Sequence, residues 1–481
     1  MRIFPEFSIP VLSTGEHFLP LFREIIVSGN RQNSFWNIIV SPGRAWQEPG
    51  DGGYSRASFP FVLTDNYCGQ ARNGLATFVY NSTEISRAAI QISQETAPVD
   101  GYAITDFAGM IPASYMPQPV ENADQEILEF EEEIAARPPV KPWSALPLAG
   151  MTRVLFKSGL PDDEVSLAAL FLDGVLYLQP ASTRSGPYPY PLEMRHGVFS
   201  VTKTIGMGLS MFFAAEKYGE DIFDEKIADY VPALAGHPGW LNVTFADALD
   251  MVTGTQGGET GDNIVGFIMA RTAEDKLAAI CALPDAAPEP ATEFRYASTN
   301  TFVVSYALNR FVQAKEGVQA EFWRMVKDNV LKPLGIPHLP LARTLEKNGQ
   351  LGIPIMGWGS YPNVIEAAKI GRLLHDEGLS GGKQLLNKNK VRESLQRTSR
   401  AGYDAGILYG NPLAYLHSLW IPQVRLSTCP VTAPIMSGAG GNCVVVLPSG
   451  VIALRFGDSN QYDITGMVAA AELYHSACPG R

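Results

Sequence analysis

The sequence lacks both the concentrated positive charge of nucleic-acid-binding proteins and the long apolar segments of membrane proteins. Its 481 residues carry 37 Lys and Arg against 49 Asp and Glu, a formal net charge of −12, and the basic residues form no stripe. Phosphate binding needs clustered cations, so we expect no nucleic-acid partner. No apolar run approaches the roughly 20 residues of a membrane span, and residues 1–20 show no secretory signal. We therefore expect a cytoplasmic protein without a membrane span, or a periplasmic or secreted one if a signal was removed before residue 1.

Cysteine and histidine are too few and too scattered to indicate a disulfide framework or a metal site. None of the five cysteines belongs to a C-x-x-C pair, and none of the seven histidines belongs to an H-E-x-x-H pair. This spacing favours reduced, mostly buried thiols and predicts no bound metal. The five cysteines are Cys68, Cys281, Cys429, Cys443 and Cys478.

The first part of the chain is rich in short β-strand patterns. The runs SFWNIIV (34–40), FPFVL (59–63) and LATFVYN (75–81) combine β-branched and aromatic residues. An acidic, helical segment follows and ends in the proline-rich stretch RPPVKPW (137–143), which is typical of a linker. We predict an N-terminal β-rich accessory domain with its linker at 1–145 and a second domain at 146–481.

The second domain has strand patterns at both of its ends and helical patterns between them. Two apolar runs lie within 164–180 and two more within 442–457, whereas helices are predicted at 200–218, 298–314 and 364–377, among others. This order indicates an α+β fold, in which both ends of the domain build one antiparallel sheet flanked by helices and a helical subdomain is inserted between them.

A serine and a lysine inside the apolar segment GVFSVTKTIGMG (197–208) indicate catalysis. Ser200 and Lys203 are three residues apart, so on a helix they share one face. A serine hydroxyl becomes a nucleophile when a base removes its proton, and a buried lysine can be that base because burial disfavours the ammonium form. The helix N-terminus adds a backbone N–H where an oxyanion would form.

The same S-x-x-K pattern occurs at Ser380 and Lys383, and Gly378 to Gly382 also match G-x-S-x-G. A nucleophile elbow of this second kind needs a strand before it and a helix after it. Here a helical segment precedes the match, and its glycines are typical of a helix C-cap and a turn. We therefore assign the chemistry to Ser200.

Further segments, in the same order along the chain, make the sequence similar to a known superfamily. Residues 150–475 resemble the serine β-lactamases and penicillin-binding proteins, and most closely their class C-like branch with family VIII carboxylesterases, nylon-oligomer hydrolases and D-aminopeptidases. The segments that carry this resemblance are FRYASTNTFVVSYAL (294–308), VTFADALDMVTG (243–254), PLGI (333–336), LSGGKQLL (379–386) and MSGAGGNCVVVLPSG (436–450).

The resemblance implies a β-lactamase-like sheet and a role for several residues. Ser200 matches the nucleophile, Lys203 its partner, and Tyr296 the tyrosine of the second motif, whose phenol relays a proton. Ser298 stands where the Y-x-N motif has its asparagine.

For the third motif, usually K-T-G or H-x-G, we take Ala439-Gly440-Gly441, which has no cationic or imidazole residue. The resemblance implies that a backbone N–H of Gly441 or Asn442 completes the oxyanion hole. The expected substrate-binding set is therefore Gly440, Gly441, Asn442 and Ser298.

The predicted function is that of a serine hydrolase that works through an acyl-enzyme and without a cofactor. A small-molecule carboxylic ester is the first choice of substrate, because the third motif offers no cation to hold an acidic β-lactam or peptide tail. Amide hydrolysis of the β-lactamase, D-aminopeptidase or oligoamide type, acyl transfer to an acceptor other than water, and a sensor without turnover are the alternatives.

Overall fold

Two large β-sheets organise the chain. The computed structural model describes residues 4–29, 35–65, 67–96, 107–157, 160–161, 164–179, 181–183, 185–255, 259, 262–283 and 289–478. Within these ranges, the first sheet, here the N-terminal sheet, has eight antiparallel strands in the order β1-β2-β4-β5-β6-β7-β8, with β3 paired to β5. Its strands are β1 (Val11–Ser13), β2 (His17–Pro20), β3 (Trp36–Val40), β4 (Gly43–Trp46), β5 (Ser55–Asp65), β6 (Ala71–Tyr80), β7 (Ala88–Thr96) and β8 (Ala108–Ile111).

The second sheet, here the central sheet, joins strands from both ends of the remaining chain. The later strands are β9 (Val140–Pro142), β10 (Val165–Leu172), β11 (Val175–Gln179), β12 (Ser182–Thr183), β13 (Gly186–Pro187), β14 (Arg343–Leu345), β15 (Leu351–Pro354), β16 (Leu379–Ser380), β17 (Lys383–Gln384), β18 (Tyr403–Leu408), β19 (Asn411–Leu416), β20 (Leu419–Arg425), β21 (Pro430–Thr432), β22 (Ile435–Gly438), β23 (Asn442–Val446) and β24 (Ile452–Gly457). The sheet runs β18-β19-β20-β22-β23-β24-β10-β11-β9, with β21 paired to β20. The predicted α+β class, with an antiparallel sheet built from both ends, is confirmed.

The helices lie mainly between the two sets of central strands. They are α1 (Ala123–Ala135), α2 (Ala149–Lys157), α3 (Leu209–Tyr218), α4 (Phe245–Leu249), α5 (Asp262–Met269), α6 (Ala273–Cys281), α7 (Ser298–Glu316), α8 (Phe322–Val326), α9 (Val364–His375), α10 (Lys388–Ser394) and α11 (Thr465–Glu472). Short 3₁₀ turns occupy Glu220–Asp224 and Ile227–Asp229.

Helices cover both faces of the central sheet. The larger apolar core lies between one face and α3, α7 and α9, whereas α2 and α11 bury a second core on the other face. A capping box in which Asn363 and Glu366 exchange hydrogen bonds begins α9. Gly371 then lets this helix approach the sheet, since a Cβ there would lie 2.7 Å from the Ile452 side chain.

The polypeptide enters the central sheet slightly before the predicted domain boundary at residue 145. Strand β9 pairs in parallel with β11, so part of the proline-rich stretch is an edge strand of the central sheet. The N-terminal sheet has its own aromatic core, which includes Phe18, Trp36 and Phe61.

One prediction about the cysteines is wrong. Cys429 and Cys478 form a disulfide, whereas Cys68, Cys281 and Cys443 are free. The two paired residues are 49 positions apart. Residue spacing could not indicate the pair, because it is the fold that brings the C-terminus beside the segment after β20. Among the described helices, none is long and apolar enough to cross a bilayer.

Candidate active site

Ser200 lies in a tight turn at the start of the predicted helix. Phe199, directly before it, has a φ of 45°, a left-handed conformation that bulky side chains rarely adopt. The helix continues through a π-helical segment, Lys203–Gly208, into α3. Within the part of the chain that the structure describes, the N–H of Ser200 has no acceptor. The turn therefore presents a partly exposed hydroxyl together with a free backbone donor.

The side chain of Lys203 points back at Ser200 and is almost fully enclosed. Its Nζ lies 2.9 Å from Ser200 Oγ, 2.8 Å from Ser298 Oγ and 3.1 Å from the carbonyl oxygen of Gly357. Only 1% of the lysine is exposed. The predicted pairing of serine and lysine on one helical face is thus present in the structure as a direct hydrogen bond.

Tyr296 also contacts Lys203, but through its aromatic ring and not through its hydroxyl. Lys203 Nζ is 4.5 Å from the centroid of this ring. No hydrogen bond of the Tyr296 hydroxyl is found among the described residues, so the expected contact of this hydroxyl with Ser200 or Lys203 is not made. Tyr296 is half-buried and packs against Phe294, Tyr415 and Trp420, which form an aromatic wall beside the lysine.

The second motif supplies a hydroxyl in place of an amide. Ser298 is the first residue of α7, and its backbone N–H donates to Glu259 Oε2 at 2.7 Å. Asn300, the next asparagine along the chain, is fully buried, and its Nδ2 lies 3.8 Å from Met251 Sδ. Of these two, only Ser298 contacts the lysine. Glu259 was not predicted, because the sequence between it and Ser298 gives no sign that the two meet.

The strand position that faces Ser200 is Gly438. A Cβ on this glycine would lie 2.1 Å from Val198 O, 2.9 Å from Ser200 N and 3.0 Å from Val201 N, so only glycine fits. Gly438 is the last residue of β22. The residue in contact with the Ser200 turn therefore lies directly before the predicted segment Ala439-Gly440-Gly441.

The structure gives contacts for Gly440, Gly441 and Asn442, which were predicted for substrate binding, but these contacts do not involve the backbone N–H of Gly441 or Asn442. The N–H of Gly440 donates to Asn460 Oδ1 at 3.1 Å. A Cβ on Gly441 would lie 2.6 Å from Gln461 O. Asn442 is fully buried, where its side chain donates to Gly197 O and Ala439 O and accepts from Gly457 N. These contacts brace the rim of the site.

Ala439 is a further candidate donor at this rim. It follows Gly438 directly and is exposed. Its N–H has no acceptor within the described ranges. The free N–H groups of Ser200 and Ala439 thus lie on the two segments that Gly438 brings into contact.

The two charged or ionisable residues that precede Phe199 and Ser200 in the buried segment, Arg195 and His196, are enclosed by the fold. Arg195 is buried and pairs with Glu366 at 3.0 Å. Burial lowers the pKa of His196 to about 3, and neither of its ring nitrogens has a hydrogen-bond partner among the described residues. His196 is therefore neutral near pH 7 and packs against Phe456.

The second S-x-x-K match lies in a hairpin. Ser380 and Lys383 face each other across β16 and β17, and Gly381 and Gly382 both have positive φ in the turn between them. No helix presents this serine and lysine on one face. Within the described residues, no group of three or more His, Cys, Asp or Glu side chains is placed to hold a metal ion.

The loop between β5 and β6 of the N-terminal sheet contacts two segments of the site. A Cβ on Gly197 would lie 2.6 Å from Gly69 O, and one on Gly69 would lie 3.2 Å from Gly359 N. The first contact supports the segment before Ser200. The second supports the segment after Gly357, whose carbonyl accepts from Lys203.

Comparisons with known proteins agree with the fold. Neither a family model nor a curated protein matches the sequence. Among solved structures, a penicillin-binding protein homologue from Caulobacter crescentus is 15% identical and superposes with a TM-score of 0.50, over 68% of this chain and 95% of its own. A family VIII carboxylesterase is 17% identical, with a TM-score of 0.49 over 68% and 97% of the two chains. A D-stereospecific amidohydrolase from Streptomyces sp. is 14% identical, with a TM-score of 0.46 over 68% and 98%.

The likeness to the penicillin-binding protein homologue shows the fold alone. The chain shares the fold of that protein, as the resemblance of its sequence implied.

Proposed function

We propose that the protein is a serine hydrolase that forms an acyl-enzyme on Ser200. The observation that carries this proposal is the enclosed 2.9 Å hydrogen bond between Lys203 Nζ and Ser200 Oγ. A neutral lysine at this place can accept the serine proton as Oγ attacks a carbonyl carbon. The fold is consistent with this chemistry, but the proposal rests on the site.

The oxyanion of the tetrahedral intermediate is assigned to the N–H groups of Ser200 and Ala439. Both groups lack an acceptor in the described part of the chain, and Gly438 holds the two segments together. This assignment takes Ala439 in place of Gly441 or Asn442, the donors that the resemblance implied. Loss of one such donor typically lowers kcat by about 10²–10³.

Tyr296 is assigned to the leaving group. Its hydroxyl has no partner among the described residues and belongs to a half-buried side chain, so it is free to give its proton to the departing oxygen. The ammonium of Lys203 then holds the proton from Ser200, and its Nζ lies 4.5 Å from the centroid of the tyrosine ring. Return of that proton to Tyr296 requires the phenol to turn so that its hydroxyl meets Nζ when substrate is bound. Water then attacks the acyl-enzyme by the reverse sequence of proton transfers and releases the acid.

A carboxylic ester with an apolar or aromatic part fits the site best. Met436, two residues before Gly438, is fully buried and stands where K-T-G has its lysine, so that position offers no cation for an acidic tail. Three half-buried aromatic side chains, Phe294, Tyr296 and Trp420, pack against one another there and would contact such a part of the substrate.

The proposal is tested by covalent labelling and by substrate screening. A fluorophosphonate probe should modify Ser200, as peptide mass spectrometry would show, and the Ser200→Ala variant should remain unlabelled. p-Nitrophenyl esters of graded chain length should be hydrolysed faster than the matching anilides or a chromogenic cephalosporin. Preference for anilides would replace the ester with an amide, whereas labelling without turnover of any compound would indicate a sensor.

A further inference from the structure

The turn between β19 and β20 has an unfavourable backbone conformation. Leu416 pairs with Leu419, so His417 and Ser418 form a two-residue hairpin turn, and their φ angles are 48° and 70°. Hairpin turns with positive φ at both central positions favour Asn and Gly. Contacts outside the turn must therefore stabilise His417 and Ser418 in this conformation.

His417 makes three such contacts, and all of them go to carboxylates. Its backbone N–H donates to Asp250 Oδ1 at 2.6 Å, Nδ1 lies 2.9 Å from the same oxygen, and Nε2 lies 2.9 Å from Glu393 Oε2. Asp250 directly follows α4, and Glu393 belongs to α10. His417 is fully buried, so water cannot take the place of either carboxylate.

Only the imidazolium form of His417 fits between two carboxylates. Both ring nitrogens donate in this form, whereas neutral imidazole has one N–H and directs a lone pair at the other carboxylate. Burial lowers the pKa of His417, but Asp250 and Glu393 outweigh burial and hold this pKa above its ordinary value, while Arg400 acts in the opposite direction. The other charged or ionisable side chains around these two carboxylates are Arg400, Lys390, Asp247, Glu220 and Tyr403.

The same turn contacts the helix that carries the nucleophile and its base. The carbonyl oxygen of Ser418 accepts from Thr204 Oγ1 at 2.7 Å, and Thr204 directly follows Lys203. A Cβ on Gly208 would collide with Ser418 Oγ, so only glycine lets the helix and the turn approach this closely. The turn thus packs directly against the segment that begins at Ser200.

The two strands that meet at the turn carry aromatic side chains of the site. Tyr415 and Trp420 lie opposite each other across β19 and β20, and their ring centroids are 5.0 Å apart. The ring of Tyr296, which contacts Lys203, lies 6.0 Å from that of Tyr415 and 5.0 Å from that of Trp420. A shift of the turn would therefore move the side chains that border Lys203.

We propose that the imidazolium of His417 is a positioning group, which holds the β19–β20 turn and the aromatic side chains beside Lys203 in the arrangement that catalysis requires. This inference rests on the proposed function and concerns a residue that the proposed reaction does not use. When His417 loses its proton, one of its bonds to a carboxylate is lost. Because the pKa is raised in the folded protein, this support is complete below the ordinary imidazole pKa and is lost as the pH rises through the raised value.

His417→Asn is the direct test. Asparagine tolerates positive φ and can donate to Asp250, but it does not titrate. In the wild-type protein, kcat/KM for a p-nitrophenyl ester, measured well below the unfolding temperature, should fall about tenfold as His417 loses its proton. The variant should lack this decrease, so the ratio of wild-type to variant kcat/KM should change about tenfold between neutral and alkaline pH.

Two further variants serve as a control and as a second test. His475→Asn removes another histidine–carboxylate pair, which His475 makes on the surface with Asp173 at 3.1 Å, and should follow the wild-type pH profile. If His417→Asn does not fold, Glu393→Gln keeps His417 but removes one of the anions that raise its pKa. The alkaline decrease should then begin at a lower pH than in the wild-type protein.

The inference is overturned if a folded His417→Asn protein follows the wild-type pH profile of kcat/KM, or if the pH dependence of thermal stability alone changes. An unmoved profile in Glu393→Gln would overturn it as well. These results would leave the proposed function intact, because the fluorophosphonate probe would still label Ser200. Absence of labelling in the wild-type protein would instead overturn the proposed function, and this inference with it.

Discussion

Gly438→Ala is the substitution from which we expect the sharpest effect on activity. The new Cβ would lie 2.1 Å from Val198 O, whereas an ordinary contact begins at 3.4 Å, so β22 and the turn before Ser200 must separate by about 1.3 Å. A displacement of about 1 Å at reacting groups can cost 10²-fold in rate, similar to the loss of one oxyanion donor. We expect kcat/KM for an ester to fall by about 10²–10³, and overpacking to cost about 1–3 kcal/mol of stability.

The matched control is Gly150→Ala. Gly150 lies in α2, and a Cβ there meets no atom within 4 Å. This variant should keep wild-type activity and gain about 0.5–1 kcal/mol, because alanine is favoured over glycine within a helix. Ester kinetics and thermal unfolding, measured side by side, compare the two. A folded Gly438→Ala protein with kcat/KM within threefold of wild type would refute the assignment of this strand to the oxyanion hole.

The other expected outcomes concern the nucleophile, its base and the cysteines. Ser200→Ala should lose both labelling and turnover while Ser380→Ala stays within a few-fold of wild type; the reverse result, in folded variants, would move the nucleophile to the hairpin. Lys203→Met should fold, since its apolar volume is comparable, but should be inactive. Lys203→Arg should also be inactive, because guanidinium keeps its proton. Near-normal kcat/KM in either variant would show that Lys203 is not the base. Iodoacetamide should alkylate three cysteines of the unfolded, unreduced protein and five after reduction; five without reduction would contradict the Cys429–Cys478 disulfide.

The local parts of the site could be predicted from the sequence. Ser200 and Lys203 are three residues apart, and a helix brings such residues together whatever surrounds it. Tyr296 could be placed near them because it directly precedes a long apolar helix and fits the order of the superfamily's motifs. The α+β architecture followed in the same way, from strand patterns at both ends of the domain and helices between them.

In the third motif, the sequence alone did not indicate which residue lies against Ser200. The segment SGAGG (437–441) contains three glycines, and the sequence does not indicate which of them contacts the turn at Ser200. Strand pairing decides it: Gly438 is the partner of Asn442 across β22 and β23, and this register sets Gly438 against the turn at Ser200. A shift of one residue would put a different face of the strand toward the site.

The sequence by itself determined the fold class and the contact between Ser200 and Lys203, because these depend on periodicity and on contacts within one helical turn. Only the tertiary structure decided how the lysine is surrounded. The acceptor at Gly357 is 154 residues from Lys203 and that at Ser298 is 95 residues away. Such contacts depend on how the helices and the two sheets pack together. The orientation of the tyrosine ring and the pairing of Cys429 with Cys478 were fixed by the same packing, since neither leaves a periodic signal in the chain.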